Sequence, residues 1–129
     1  MARTLRQPTE AELPSGPVRD FVDLLFHFYR SARRPTLRDI SERIRKEDLP
    51  GTASTETIRR MLRGATVPAH WETVEALFEA LTAIANSDPN GSMRWGNRQG
   101  ASRWILEELW HRALDNPDLY YRQQDEPPF

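Results

Sequence analysis

Three arginines on one short amphipathic segment are the residues of this chain best suited to chemistry, and that chemistry is anion binding. The run Ser54-Thr-Glu-Thr-Ile-Arg-Arg-Met-Leu-Arg-Gly64 places Ile58, Met61 and Leu62 at i, i+3 and i+4, one face of a helix turned inward. Thr55, Glu56, Arg59, Arg60 and Arg63 are left on the outer faces. A guanidinium pairs bidentately with a phosphate, or with the O6 and N7 acceptors of a guanine. Ser54 or Thr55 supplies an oxygen for an orphan N–H of the first turn. Gly64 takes the left-handed conformation that ends a helix without a Cβ penalty. A helix anchored by three apolar residues and presenting arginines suits the major groove of DNA.

Other chemistries find little to work with. His27, His70 and His111 are the only histidines; no two have metal-ligand spacing, and none lies in an HExxH pattern. Glu107 and His111 are four apart, the spacing of a surface helix pair. Glu107 and Glu108 are adjacent and point to different faces. Cysteine is absent, which removes disulfides, thiolate zinc sites and a cysteine nucleophile. Ser41 and Ser54 carry no signature of an activated nucleophile, and the glycines from Gly91 to Gly100 match no phosphate-cradling loop. The expectation is a binding protein, not an enzyme, with no metal and no cofactor.

The elements that must position those arginines follow from charge and periodicity. Net charge is −1 over 129 residues, but it is segregated along the chain. Residues 30–63 hold ten Arg/Lys against five Asp/Glu, a balance of +5, whereas residues 64–129 balance at −5. Phosphate binding depends on such a local patch, not on the sum. No apolar run approaches the roughly 20 residues that span a bilayer, and the polar first residues do not resemble a secretory signal. A cytoplasmic location with no membrane partner is expected.

Residues 1–16 contain Pro8, Pro14, Ser15 and Gly16 with little periodicity and read as a flexible lead-in. Pro17 suits the first position of a helix, and Val18, Phe21, Val22, Leu25, Phe28, Tyr29 and Ala32 recur at helical spacing. Arg33-Arg34-Pro35 breaks that helix. Thr36 is a good cap for a second, with Leu37, Ile40 and Ile44 inside and Arg38, Arg43 and Arg45 outside. The connection from Lys46 to Ala53 contains Pro50-Gly51, and the arginine-bearing helix follows. A fourth helix carries Trp71, Val74, Leu77, Phe78, Leu81 and Ile84. Residues 86–101 read as a polar, glycine-rich loop in which Trp95 is expected to tuck against the bundle. Ser102 is expected to cap a fifth helix with Trp104, Ile105, Leu106, Leu109, Trp110 and Ala113 inside; Trp71, Trp104 and Trp110 are all expected in the core. The expected fold is all-α, one five-helix domain over residues 17–114 followed by a tail, residues 115–129.

The segment Thr36-Leu-Arg-Asp-Ile-Ser-Glu-Arg43 resembles the second helix of Cro/C1-type (XRE-like) helix-turn-helix DNA-binding domains. The run from Ser54 to Gly64, then Val67-Pro68 and Trp71-Glu-Thr-Val-Glu-Ala-Leu77, is similar to the form common in actinobacterial regulators. There a recognition helix ends in Leu-x-Gly and a Pro precedes Trp-Glu-x-Val. The resemblance covers about residues 18–85 and implies a lambda-repressor-like bundle containing a helix-turn-helix. It implies Thr55, Glu56 and Arg60 at base edges, and Thr36, Arg38, Ser54, Arg59 and Arg63 at phosphates. The stretch from Arg45 to Ala53 is longer than the family's tight turn: either part of it prolongs the second helix and leaves Leu49-Pro-Gly-Thr as the turn, or the loop is longer and the angle between the two helices differs.

The expected partner is double-stranded DNA, bound by a transcriptional regulator. Two-fold operators make a homodimer natural, through the fifth helix and the tail; Tyr120, Tyr121 and Phe129 of the tail are expected either to pack across the first helix or to form part of that self-association surface. The rival expectation keeps the scaffold as a protein-interaction or adaptor module, an antitoxin-like or defence-associated regulator among them.

Overall fold

A computed structural model describes residues 5–49 and 54–116. Pro50-Gly51 and the tail aromatics Tyr120, Tyr121 and Phe129 lie outside the described residues. The chain is mostly helical, in the order α1 (Pro17–Ser31), α2 (Leu37–Lys46), α3 (Thr55–Arg63), α4 (Trp71–Ala85), β1 (Ser92–Trp95), β2 (Arg98–Ala101) and α5 (Ser102–Leu114). No helix among the described residues is long and apolar enough to cross a membrane.

Helix α1 is the hub. Beyond the stripe evident from periodicity, Leu24 and Phe26 are also fully buried, so most of its circumference is covered. It packs most extensively on α5 and also touches α4 and α3, while α2 bridges α4 and α3. With partners in α5, α4 and α3, it forms the centre of the bundle and keeps Asp20, Arg30 and Ser31 toward solvent. Phe28 meets Phe78 of α4 edge-to-face at 5.1 Å, and Phe26 meets Tyr29 at 5.2 Å. Between α4 and α5, Arg103 bonds Glu75 at 2.7 Å and also Glu79, with its guanidinium over the Phe78 ring.

Helices α1 to α4 end in one recurring way. After α1, Arg34 N–H reaches Tyr29 O and Arg33 N–H reaches Arg30 O; after α2, Leu49 N–H reaches Ile44 O and Asp48 N–H reaches Arg45 O. Each is a Schellman motif, which requires a left-handed residue just past the helix. Arg33 (φ 65°), Asp48 (φ 52°), Gly64 (φ 73°) and Asn86 (φ 56°) fill that position after α1, α2, α3 and α4. Helix α2 therefore takes in Arg45 and Lys46, the first part of the longer stretch, and ends at Lys46; from Pro50 to Ala53 the turn lies outside the described residues.

Four expectations need correction. Residues 86–101 are not loop throughout: β1 and β2 form an antiparallel hairpin in the register Ser92↔Ala101 to Trp95↔Arg98. The two-residue turn Gly96-Asn97, with Gly96 at φ 61°, is what a tight hairpin demands. Trp95 does lie against the bundle, its ring 5.0 Å from that of His27. Trp104, in contrast, is 56% exposed and not core. It sits beside the inner stripe of Ile105, Leu106, Leu109 and Trp110, on the outward line of Glu107, His111 and Asp115. Ser102 does not cap α5 through its side chain; its N–H and hydroxyl both donate to Gly91 O, at 2.9 and 3.1 Å, tying the helix start to the hairpin's base.

The fourth correction concerns the expected flexible lead-in, residues 1–16, of which residues 5–16 are described. Residues 5–16 dock across α1 and the end of α3. Leu13 is 1% exposed. Thr9 and Glu12 form a reciprocal box: Thr9 N–H donates to Glu12 Oε1 at 3.0 Å, and Glu12 N–H to Thr9 Oγ1 at 3.3 Å. Leu5 N–H donates to Tyr29 Oη at 3.0 Å, and Gln7 links Asp23 to Arg30. One buried leucine and a capped turn outweigh the prolines and glycine that suggested disorder.

Candidate nucleic-acid interface

Helix α3 is held from below, and its first turn is open to solvent above. Ile58, Met61 and Leu62 are essentially inaccessible, and their packing against α1 and α2 fixes the helix axis. Ser54 Oγ accepts from Thr57 N–H at 3.4 Å. At the other end, Ala65 N–H bonds Arg60 O at 2.9 Å, and Gly64 N–H bonds Met61 O. The local rules of capping and glycine termination place both ends of the helix where the residues implied them.

Glu56, Arg59, Arg60 and Arg63 form one stripe along α3 at i, i+3, i+4 and i+7. Thr55, Glu56 and Arg59 are exposed, Arg60 is half-buried, and the Arg63 side chain is only 23% exposed. The Arg59 guanidinium grips Glu56 through two hydrogen bonds, with Nε at 3.1 Å from Oε2. That contact lowers the Glu56 pKa and raises that of Arg59, so both stay charged. Arg63 is turned toward the N-terminal segment, donating through Nη1 to Arg6 O at 2.7 Å and through Nη2 to Glu12 Oε2 at 2.8 Å.

On α2, Thr36 Oγ1 accepts from Asp39 N–H at 3.0 Å, which leaves the hydroxyl hydrogen able to donate to an anion. Arg38 is exposed and pairs with Glu42 at 3.2 Å; Arg43 pairs with Glu47 at 3.3 Å. Four basic residues on residues 37–48 thus face four acidic ones, a balance of zero. The local +5 comes instead from Arg30, Arg33 and Arg34 at the end of α1 and from α3 at +2. The net positive charge of residues 30–63 thus lies at the end of α1 and on α3 rather than on α2.

The residues expected at bases and phosphates therefore fall on two packed helices, α2 and α3. Sequence reasoning missed Arg6, Glu12, Arg30 and Arg34, which gather about residues 5–7; Arg34 donates to Leu5 O at 3.1 Å. The signal for them was the spacing Thr9-x-x-Glu12, a capping box. Among the described residues no group of His, Asp and Glu is placed to hold a metal ion. His27 is half-buried against Trp95, and burial, reinforced by Arg30, lowers its pKa. Comparisons with protein families, with characterised proteins and with solved structures find no match to this chain.

Proposed function

We propose that this chain is a sequence-specific double-stranded DNA-binding regulator with a helix-turn-helix formed by α2 and α3. The observation that carries the reading is α3 itself: capped at both ends, fixed by three buried side chains, and bearing Thr55, Glu56 and Arg59 toward solvent. Nine residues give a helix of about 13 Å, short enough to lie within a major groove. In this reading Thr55, Glu56 and Arg60 meet base edges. Glu56 accepts from a cytosine amino group, and its pairing with Arg59 holds the carboxylate ready. Thr36, Arg38, Ser54, Arg59 and Arg63 meet phosphates, helped at the start of each helix by free N–H groups and the dipole.

Selection from a random duplex pool, at low and near-physiological salt, tests this. An enriched motif that Arg60→Ala relaxes at one position is the expected result. Arg38→Ala should weaken all sequences alike and reduce the salt slope by about 0.9. Binding that enriches nothing and vanishes with salt would remove the reading. A homodimer on a two-fold site would give twice the chain mass on the selected duplex in sedimentation. One observation favours the rival, a protein-docking module: Trp104 stands exposed beside Glu107 and His111 on α5. Loss of a co-purifying protein on Trp104→Gln, with DNA binding absent at low salt, would select that rival.

A further inference from the structure

We propose that Glu12 is a phosphate mimic: it occupies on Arg63 the place a DNA phosphate takes, so the docked N-terminal segment restrains the interface it borders. The inference rests on the DNA-binding reading and names a regulation of that same site.

Arg63 continues the outward stripe of Glu56, Arg59 and Arg60, yet it is the most covered of the α3 arginines for which side-chain exposure is known: 23%, against 48% for Arg59. What covers it is chemically close to a nucleic-acid backbone. A carboxylate oxygen sits 2.8 Å from Nη2 and a carbonyl oxygen 2.7 Å from Nη1. Two terminal nitrogens facing two oxygens, one anionic, is the arrangement a guanidinium makes with a phosphate. A duplex reaching the end of α3 must share or take that guanidinium.

The mimic is built into place rather than brushing past. Leu13, the next residue, is buried against Gly64, where a Cβ would come within 2.7 Å of Leu13 Cδ2. Arg19 Nη1 holds Leu13 O at 2.8 Å. The Thr9 N–H and the Arg6 guanidinium hold the Glu12 carboxyl down to about 2, so it is an anion throughout the physiological range. The segment thus brings one fixed negative charge to an arginine of α3, and brings Arg6 beside it, paired to the same carboxylate at 3.1 Å. Exchange of Glu12 for a phosphate frees Arg6 as well, so release of the segment adds cationic contacts to those α3 already makes.

The test compares E12Q with E10Q in titrations of the duplex selected above. Glu10 lies two residues away and its side chain meets Ser15, not Arg63, so E10Q removes the same net charge without touching the arginine. E12Q is expected to tighten binding about three- to tenfold and steepen the salt slope by roughly one phosphate contact; E10Q should change affinity less than twofold. In an Arg63→Ala background the advantage of E12Q should shrink to that of E10Q. Amide exchange at residues 9–13 of the wild type should quicken on adding duplex. Equal gains from E12Q and E10Q, a gain that survives Arg63→Ala, or weaker binding by E12Q would each overturn the mimic while leaving DNA binding intact. Absence of duplex binding by wild type, E12Q and E10Q alike would overturn the DNA reading and the mimic with it.

Discussion

Gly64 carries two constraints at once, and replacing it with alanine should expose both. Its φ of 73° is left-handed, which costs an L-residue with a Cβ roughly 1–2 kcal/mol. The added methyl would also stand 2.7 Å from Leu13 Cδ2 and 3.2 Å from Val22 Cγ2. Overpacking of that kind costs about 1–3 kcal/mol, and Leu13, on a segment with fewer neighbours than Val22 of α1, is the side that gives. Gly64→Ala should therefore destabilise by about 2–4 kcal/mol. For a domain of this size the midpoint of thermal unfolding should fall by about 8–16 °C. Urea unfolding followed by circular dichroism measures the loss. Leu13→Ala separates the two constraints: alone it should cost about 2–4 kcal/mol, but combined with Gly64→Ala it removes the clash. The pair should then be less than additive by about 1–2 kcal/mol. A single-variant loss under about 0.5 kcal/mol, or strict additivity of the pair, would refute the packing argument.

Four further outcomes follow from the geometry. Thr36→Ala removes the oxygen that satisfies Asp39 N–H and should cost about 1 kcal/mol in urea unfolding. Asp48→Gly relieves a non-glycine residue at φ 52° and an acidic charge at the end of α2; it should raise stability by about 0.5–1 kcal/mol in the same assay. His27 has its pKa lowered from 6.5 by burial and by Arg30, so the folded state binds fewer protons than the unfolded one. The stability tied to its neutral ring is complete above about pH 6.5 and is lost as pH falls below it; thermal midpoints between pH 7.5 and 5 should show the decline, and His27→Gln should flatten it. Trp104→Gln should leave stability within about 0.5 kcal/mol and remove most of the iodide-quenchable tryptophan fluorescence.

Helix α3 was legible in the sequence because everything that defines it is local. Ser54 caps it, Ile58, Met61 and Leu62 anchor it, and Gly64 ends it, all within eleven residues. The hairpin was not, since each strand is only four residues and its alternation is carried by mixed residues such as Met93 and Gly100. The dipeptide Gly96-Asn97 was the one mark of it. Trp104 misled because it is one position off the inner stripe of α5, a displacement of about 100° on a helix. Composition misled at residues 5–16, where Pro8, Pro14 and Gly16 masked a capping box and a single anchoring leucine. Charge counting gave residues 30–63 a single positive balance, whereas on α2 both Arg38 and Arg43 are paired with a carboxylate four residues on. The contacts of Arg63 were invisible for a plainer reason: its partner Glu12 is 51 residues away.

The central position of α1 has a consequence for how the chain is made. Its most extensive partner, α5, is the last described helix, so the two meet only after 83 further residues have been added beyond Ser31. At synthesis rates of about 5–20 residues per second, that interval is roughly 4 to 17 seconds. Throughout it the face that α1 turns toward α5 stays uncovered, and exposed apolar surface of that kind is what holding chaperones bind. The α2–α3 pair leaves the ribosome long before α5, yet α3 packs on a helix that is not itself settled. A fragment ending before Ser102 should therefore bring out the arginines without the platform that aims them. Helix α3 is among the earlier parts to be synthesised, yet the platform it packs on is complete only with the last described helix.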